Sequence, residues 1–294
     1  MHYKSIYCEG LFSSLLVVIT GGGSGIGRCM AHELTALGAK VVITGREQRK
    51  LDRVAKEIRE DGGEVDTLAF DIREEVAVQE SVATIIERHG PIDGLVNNAG
   101  GQFSALLEDI SAKGWETVIR TNLTGGFLMS REVMRQSMRA NGGSIVSIVA
   151  DNWSSMPYLG HTAAARAGMV NLTQTASIEW AHYGIRINAV APGIIASSGL
   201  DEYDPAAQER IRKRRKTVPL KRFGTEEEVS AAVLFLLSPA AAFITGTTLR
   251  VDGGTPNTHP GYAIPDHNRS EPFQGFHRST VPAMLQTRQK EATE

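Results

Sequence analysis

The sequence predicts a doubly wound α/β fold, a parallel sheet covered by helices on both faces. Three observations point to it. Short β-rich runs alternate with longer helical patterns along most of the 294 residues, which is the rhythm of βαβ units. The first run feeds directly into a glycine-rich loop that opens a helix. No internal repeat or low-complexity linker divides the pattern, and right-handed crossovers within one sheet are then the economical topology.

Residues 15–20 read as the first strand, and 26–37 as the helix after it, ended by Gly38. A second strand spans 40–44, and a helix with charged faces spans 48–59. The third strand is 65–70, followed by a helix to about His89, and the fourth is 92–97. A long helical stretch covers 112–139. The fifth strand is 144–149, with a helix over 161–182, and the sixth is 186–191. At 226–237 a helix starts with Thr225 and Glu228 in capping-box spacing. The last strand is 247–251. One domain over residues 1–254 is expected, with a long insertion at 197–222 of the kind that forms lids. Residues 255–294 form a polar tail holding five of the eleven prolines. It reads either as a flexible end or as an ordered segment.

Composition narrows the function. Hydrophobic residues make up 41% and charged residues 22%, enough to bury a core without covalent staples. Two cysteines, Cys8 and Cys29, cannot build a disulfide framework or a four-thiolate zinc site, so no metal is expected. They fit a reducing compartment. The 31 basic and 33 acidic residues argue against a nucleic-acid partner. No apolar run reaches the roughly 18 residues of a membrane span. LFSSLLVVIT near the start imitates a signal peptide, but it runs straight into the glycine loop and reads as a strand. The terminal EATE carries no peroxisomal or retention signal. A cytoplasmic location is expected.

The motif with most chemistry is TGGGSGIG at 20–27. Glycines let the backbone turn tightly and approach a pyrophosphate, while the helix N-terminus offers free N–H groups. The expected contacts are Thr20, Gly21, Gly23, Ser24, Gly25, Ile26 and Gly27. At the end of the second strand, where an acid would bind the ribose 2′-hydroxyl of NAD, the chain has Gly45 and Arg46. A guanidinium can grip a 2′-phosphate bidentately, so NADP(H) is the expected cofactor. Glu47 beside it either turns outward or competes for Arg46. Asp71 and Ile72 meet the adenine edge, or Asp71 caps a helix; the two are compatible. Asn98, Ala99 and Gly100 end the fourth strand on the crevice side.

Together these residues resemble the short-chain dehydrogenase/reductase family. The similar motifs are TGGGSGIG, Asp71, NNAG at 97–100, Asn122 in TNLTG, APG at 191–193, and FITG with VDGG at 243–254. The resemblance implies a seven-stranded Rossmann sheet, a nicotinamide cofactor and a homotetramer or homodimer. It also implies cofactor contacts at Pro192, Gly193, Ile195 and Ser197. The family's chemistry uses an Asn, a Ser and a Tyr-x-x-x-Lys pair. This chain keeps Asn122, but Thr162 and Arg166 occupy the Tyr and Lys positions, and Ala150 or Val149 the Ser position.

NNAGGQF, KGW, GHTAAARAG and RINAVAPG are similar to trans-2-enoyl-CoA reductases of the peroxisomal type. That subgroup also has Arg at the position of Arg166; the tyrosine proposed as its acid falls on Val170 here. The resemblance implies NADPH-dependent reduction of trans-2-enoyl-CoA or acyl-carrier thioesters in fatty-acid metabolism. Reduction of 3-oxoacyl thioesters or another carbonyl, and non-catalytic NADP binding, are the alternatives. In the enoyl reaction charge develops on the thioester oxygen, which needs electrostatic stabilisation. Arg166 stays charged at any working pH, so it binds ribose hydroxyls or an oxyanion and cannot be the acid. Tyr158 is the expected acid or a loop residue packing on the substrate tunnel. Thr162 can relay a proton, and His161 either relays one or is a local hydrogen-bond partner. Eight cations fall at 210–222, leaving 23 basic against 33 acidic residues elsewhere. They form a solvated face, or a lid that attracts an anionic acyl carrier.

Overall fold

The computed structural model describes residues 2–153, 155–259 and 261–286. The EATE end, with all of 287–294, lies outside the described residues. The strands are β1 Leu16–Thr20, β2 Lys40–Gly45, β3 Glu64–Ala69, β4 Gly94–Asn97, β5 Gly143–Ile148, β6 Ile185–Pro192 and β7 Thr248–Val251. They form one seven-stranded sheet in the order β3-β2-β1-β4-β5-β6-β7, with every pairing parallel. The helices are α1 Gly25–Ala36, α2 Gln48–Glu60, α3 Glu75–His89, α4 Ala112–Ile119, α5 Gly125–Val133, α6 Arg139–Asn141, α7 Gly160–Glu179, α8 Pro205–Arg214, α9 Glu226–Leu237 and α10 Ala283–Gln286.

Side chains alternate across each strand, and the sheet divides the core accordingly. Val17 and Ile19 pack with Met30, Leu34, Val233 and Leu236 of α1 and α9. Leu16 and Val18 pack with Val82, Met129 and Val133 of α3 and α5. Each such fully buried side chain contributes about 1.5–3 kcal/mol. The strand order reverses direction between β1 and β4. Ligands of open parallel sheets sit outside the carboxyl ends at that switch point.

Four features position the site. The stretch read as one long helix is interrupted by π-helical turns at Arg120–Thr124 and Met134–Met138. At the first, the Asn122 Nδ2 donates to the Val118 carbonyl at 3.0 Å, an oxygen the α-helical ladder would otherwise use. Thr225 and Glu228 form the capping box read from the sequence. The segment between β6 and α9 folds into a 3-10 turn (Ser198–Glu202), then α8, then a 3-10 turn (Arg215–Thr217). Asp204 caps α8 by accepting the Ala207 N–H at 2.9 Å.

The described residues of the tail lie against the body. His277 Nε2 and Arg278 Nη2 meet the Asp61 carboxylate at 2.9 and 2.8 Å. Phe276 is buried between Tyr3, His32 and the Arg28 guanidinium. Farther on, the Asp201 carboxylate of the lid accepts the Ala283 and Met284 N–H groups, and Arg212 Nε donates to the Met284 carbonyl at 2.9 Å. No helix among the described residues is long and apolar enough to cross a membrane.

Candidate active site

Thr20 ends β1 with its hydroxyl turned inward, where it accepts the Asn98 and Ala99 N–H groups at 3.0 Å. Asn98 Nδ2 donates back to the Thr20 carbonyl at 2.9 Å. A Cβ on Gly27 would stand 2.4 Å from the Gly21 carbonyl oxygen, so only glycine fits there. Thr20 and Gly27 thus hold the loop from behind. Gly21, Gly23, Ser24, Gly25 and Ile26 face the crevice, whose cavity measures about 320 Å³. Ser24 is the extended N-cap of α1, its hydroxyl makes no cap bond, and the first turn carries no acidic side chain. Those free N–H groups and the helix dipole suit a pyrophosphate.

Arg46 stands exposed at the mouth of the same crevice. Glu47 is occupied by Lys50 at 2.7 Å. Asp71 turns towards Arg73, with Nη2 to Oδ2 at 2.5 Å and the Arg73 N–H to Oδ1 at 3.0 Å. Those hydrogen bonds hold its carboxyl below the usual carboxylate range. The N-cap of α3 is Glu74, so Asp71 makes the turn before the helix and does not cap it. Ile72, Asn98, Ala99, Gly100 and Ser197 line the crevice. Pro192 ends β6, Gly193 packs on Asp252, and Ile195 bridges to Gly224. Arg73, Thr121 and Ser198 line the crevice as well, and sequence reasoning missed them. Of these, Thr121 had a signal, its place in TNLTG beside Asn122.

Asn122 is buried and its amide is fully engaged. Nδ2 donates to the Gly101 carbonyl at 2.6 Å and Oδ1 accepts the Gly101 N–H at 3.2 Å. A Cβ on Gly100 would meet Arg166 Nη2 at 2.5 Å and Asn122 Oδ1 at 2.8 Å. The structure therefore brings Asn122, Gly100 and the Arg166 guanidinium to one point. Arg166 Nη1 donates to the Ile148 carbonyl at 2.6 Å, and burial lowers its pKa to about 10. It forms no ion pair with a described carboxylate. A cation so placed is free to bind ribose hydroxyls or a developing oxyanion.

The expected proton-handling residues are placed differently. Thr162 is buried, with its N–H on His161 Nδ1 at 2.8 Å and its hydroxyl 3.4 Å from the same nitrogen. His161 is buried edge-on against Phe103, and burial lowers its pKa. Tyr158 adopts φ +70, lies under the Arg210 guanidinium at 4.5 Å, and is half exposed. Arg210 also donates to Ser104 at 3.0 Å. Tyr203, which the sequence gave no reason to single out, receives a hydrogen bond from Gln102 Nε2 on the loop after β4.

Comparison with known proteins agrees with this geometry. A family profile described as enoyl-(acyl carrier protein) reductase matches residues 21–256. The chain is 37% identical over 241 residues to a "Probable 2,4-dienoyl-CoA reductase" of Bacillus subtilis, covering 81% of this chain and 95% of that one. It is 34% identical to the 3-oxoacyl-acyl-carrier-protein reductase FabG of Thermotoga maritima, covering 81% and 96%. Among solved structures it is similar to the citronellol catabolism dehydrogenase AtuB of Pseudomonas aeruginosa. The identity is 55% and the TM-score 0.78, covering 86% of this chain and 99% of that one. Sheet order, cofactor loop and these matches lead to one assignment: the chain belongs to the short-chain dehydrogenase/reductase family of nicotinamide-dependent oxidoreductases.

Proposed function

We propose that the protein is an NADPH-dependent reductase of trans-2-enoyl thioesters. The observation that carries the reading is the Arg166 guanidinium beside Gly100 and Asn122, without a carboxylate, where the family keeps a lysine serving a tyrosine. Arg166 stays positively charged at working pH and stabilises an oxyanion. Conjugate reduction develops that charge on the thioester oxygen, whereas ketone reduction needs an acid at the oxygen itself. A nicotinamide dinucleotide bound in the crevice supplies the hydride. Ser24 and the α1 N-terminus hold its pyrophosphate, and Asn98 to Gly100 flank it. Arg46 binds the 2′-phosphate, because Glu47 is taken up by Lys50 and Asp71 by Arg73. Asn122 acts as a positioning residue through Gly101.

The name of the 2,4-dienoyl-CoA reductase relative supports an aliphatic acyl chain. The name of the 55% identical AtuB structure supports a branched, acyclic one. The same name and the FabG relative favour a second reading, dehydrogenation or reduction at a carbinol or carbonyl carbon. Exposed Trp115, Phe127, Ile178 and Phe243 support association with further copies of the chain, a homodimer or homotetramer.

The experiment is NADPH oxidation with trans-2-decenoyl-CoA beside 3-oxodecanoyl-CoA, repeated with Arg166→Gln. Faster turnover of the enoyl thioester to saturated product, lowered roughly 100-fold or more in Arg166→Gln, is expected. Turnover of the 3-oxo thioester alone establishes the second reading.

A further inference from the structure

Tyr158 and Thr162 are each held in other contacts. The Tyr158 ring face is the seat of Arg210. The Thr162 hydroxyl is sealed beside His161 Nδ1. His161 accepts the Thr162 N–H at that nitrogen, so the neutral ring keeps its proton on Nε2, which finds no hydrogen-bond partner among the described residues. The enoyl reaction still needs a proton at the α-carbon.

A different phenol is linked to the centre of the site. Asn122 holds both the N–H and the C=O of Gly101. The next residue, Gln102, donates its side-chain N–H to Tyr203 Oη. Tyr203 lies in the lid between the turn Ser198–Glu202, whose first residues line the cofactor crevice, and α8. Since Gln102 donates, the phenol oxygen is the acceptor in this bond and its own proton points elsewhere. Burial raises the Tyr203 pKa, and the bond from Gln102 partly offsets that. The phenol therefore holds its proton through neutral pH, while the bond stabilises the phenolate once the proton has gone.

We propose that Tyr203 is the catalytic proton donor, a residue carried by the lid and oriented by Gln102, which completes the site only when the lid is seated on the loop after β4. The inference rests on the enoyl-thioester reading. In the step, the Tyr203 O–H bond breaks and a C–H bond forms at the α-carbon of the thioester enolate. The electron pair of the O–H bond stays on the phenolate, and solvent water returns the proton. The β-carbon has already received the hydride, so the alkene gains two hydrogens and the nicotinamide is oxidised. Arg210, bridging Tyr158 and Ser104, is the second lid contact that keeps Tyr203 seated.

The test compares wild type, Tyr203→Phe, Tyr158→Phe and Gln102→Leu. Each is measured for kcat against pH with trans-2-decenoyl-CoA, and for NADPH affinity by fluorescence titration. Tyr203→Phe should lower kcat roughly 100-fold or more and abolish the alkaline limb, with NADPH affinity within about twofold of wild type. Gln102→Leu should keep most of kcat but move the alkaline limb upward, because the phenolate loses its donor. Tyr158→Phe should leave the limb in place. A Tyr203→Phe enzyme within about threefold of wild type, with its alkaline limb intact, overturns the assignment. If Tyr203→Phe also loses NADPH affinity, the limb in Gln102→Leu decides: an upward shift supports the proposal and an unmoved limb overturns it. If wild type reduces only 3-oxodecanoyl-CoA, the enoyl reading fails separately, and the same limb on that substrate judges Tyr203.

Discussion

At the scale of single residues, the site is a set of charges with their counter-charges removed or held aside. Arg166 forms no ion pair with a described carboxylate, Glu47 and Asp71 near Arg46 are paired with Lys50 and Arg73, and Ser24 opens a helix without an acid in its first turn. Glu226 is the exception. Burial pushes its carboxyl up to about 7, while Arg28 pulls the other way. Its Oε1 would be 3.9 Å from a Cβ on Gly25, beside the anion-binding end of α1. Ionisation therefore adds negative charge next to the proposed pyrophosphate site. NADPH affinity should fall several-fold from pH 6 to 8, and Glu226→Gln should flatten that dependence; a pH-independent wild-type affinity would remove Glu226 from the account. The sign for stability follows from linkage. A carboxyl whose folded pKa is raised contributes fully below its unfolded value of about 4.3, and that contribution is lost as pH rises through about 7. The sequence showed Arg46, Arg166 and Asn122 through their motif positions. It could not show Tyr203 and Gln102, whose pairing spans 101 residues and depends on where the lid comes to rest.

At the scale of elements, the lid and the tail define each other. Of the cations at 210–222, Arg210 is spent on Tyr158 and Ser104, Arg212 on the Met284 carbonyl, Lys221 on backbone carbonyls and Arg222 on Glu228. Lys213 lies 3.8 Å from Glu209. Arg214, Arg215 and Lys216 remain exposed, and an anionic acyl carrier would meet these three. Replacing them together by Gln should raise KM for a CoA thioester on the order of tenfold at low salt and leave a short neutral substrate unchanged. Equal effects on both substrates would reduce the patch to a solvated face. The tail makes a separate prediction. Phe276 is 4% exposed, so Phe276→Ala should cost about 3 kcal/mol and lower Tm by roughly 6 °C or more. An unchanged Tm would mean that the tail adds nothing to the fold. Its polar, proline-rich composition concealed this role, because the partners Asp61, Arg28 and Tyr3 are all distant in sequence. The long helix read over 112–139 hid its first π-helical turn for a similar reason: a side-chain bond from Asn122 to the Val118 carbonyl accompanies it, not a helix-breaking residue.

At the scale of the whole molecule, the alternation of strands and helices made the topology legible, since a parallel sheet with right-handed crossovers has few other ways to close. Strand ends moved by one or two residues, from 65–70 to Glu64–Ala69 in β3 and from 92–97 to Gly94–Asn97 in β4. Topology alone puts a cofactor at the β1–β4 switch point but does not choose the reacting carbon. In the proposed reading that choice lies with Arg166, the missing helix tyrosine and the lid residue Tyr203. The most direct measurement is to supply deuterated NADPH with trans-2-decenoyl-CoA and locate the label in the product by mass spectrometry. The account predicts saturated decanoyl-CoA with deuterium on the β-carbon. Failure to label this product, with label appearing only on a carbinol carbon when 3-oxodecanoyl-CoA is supplied, would contradict it.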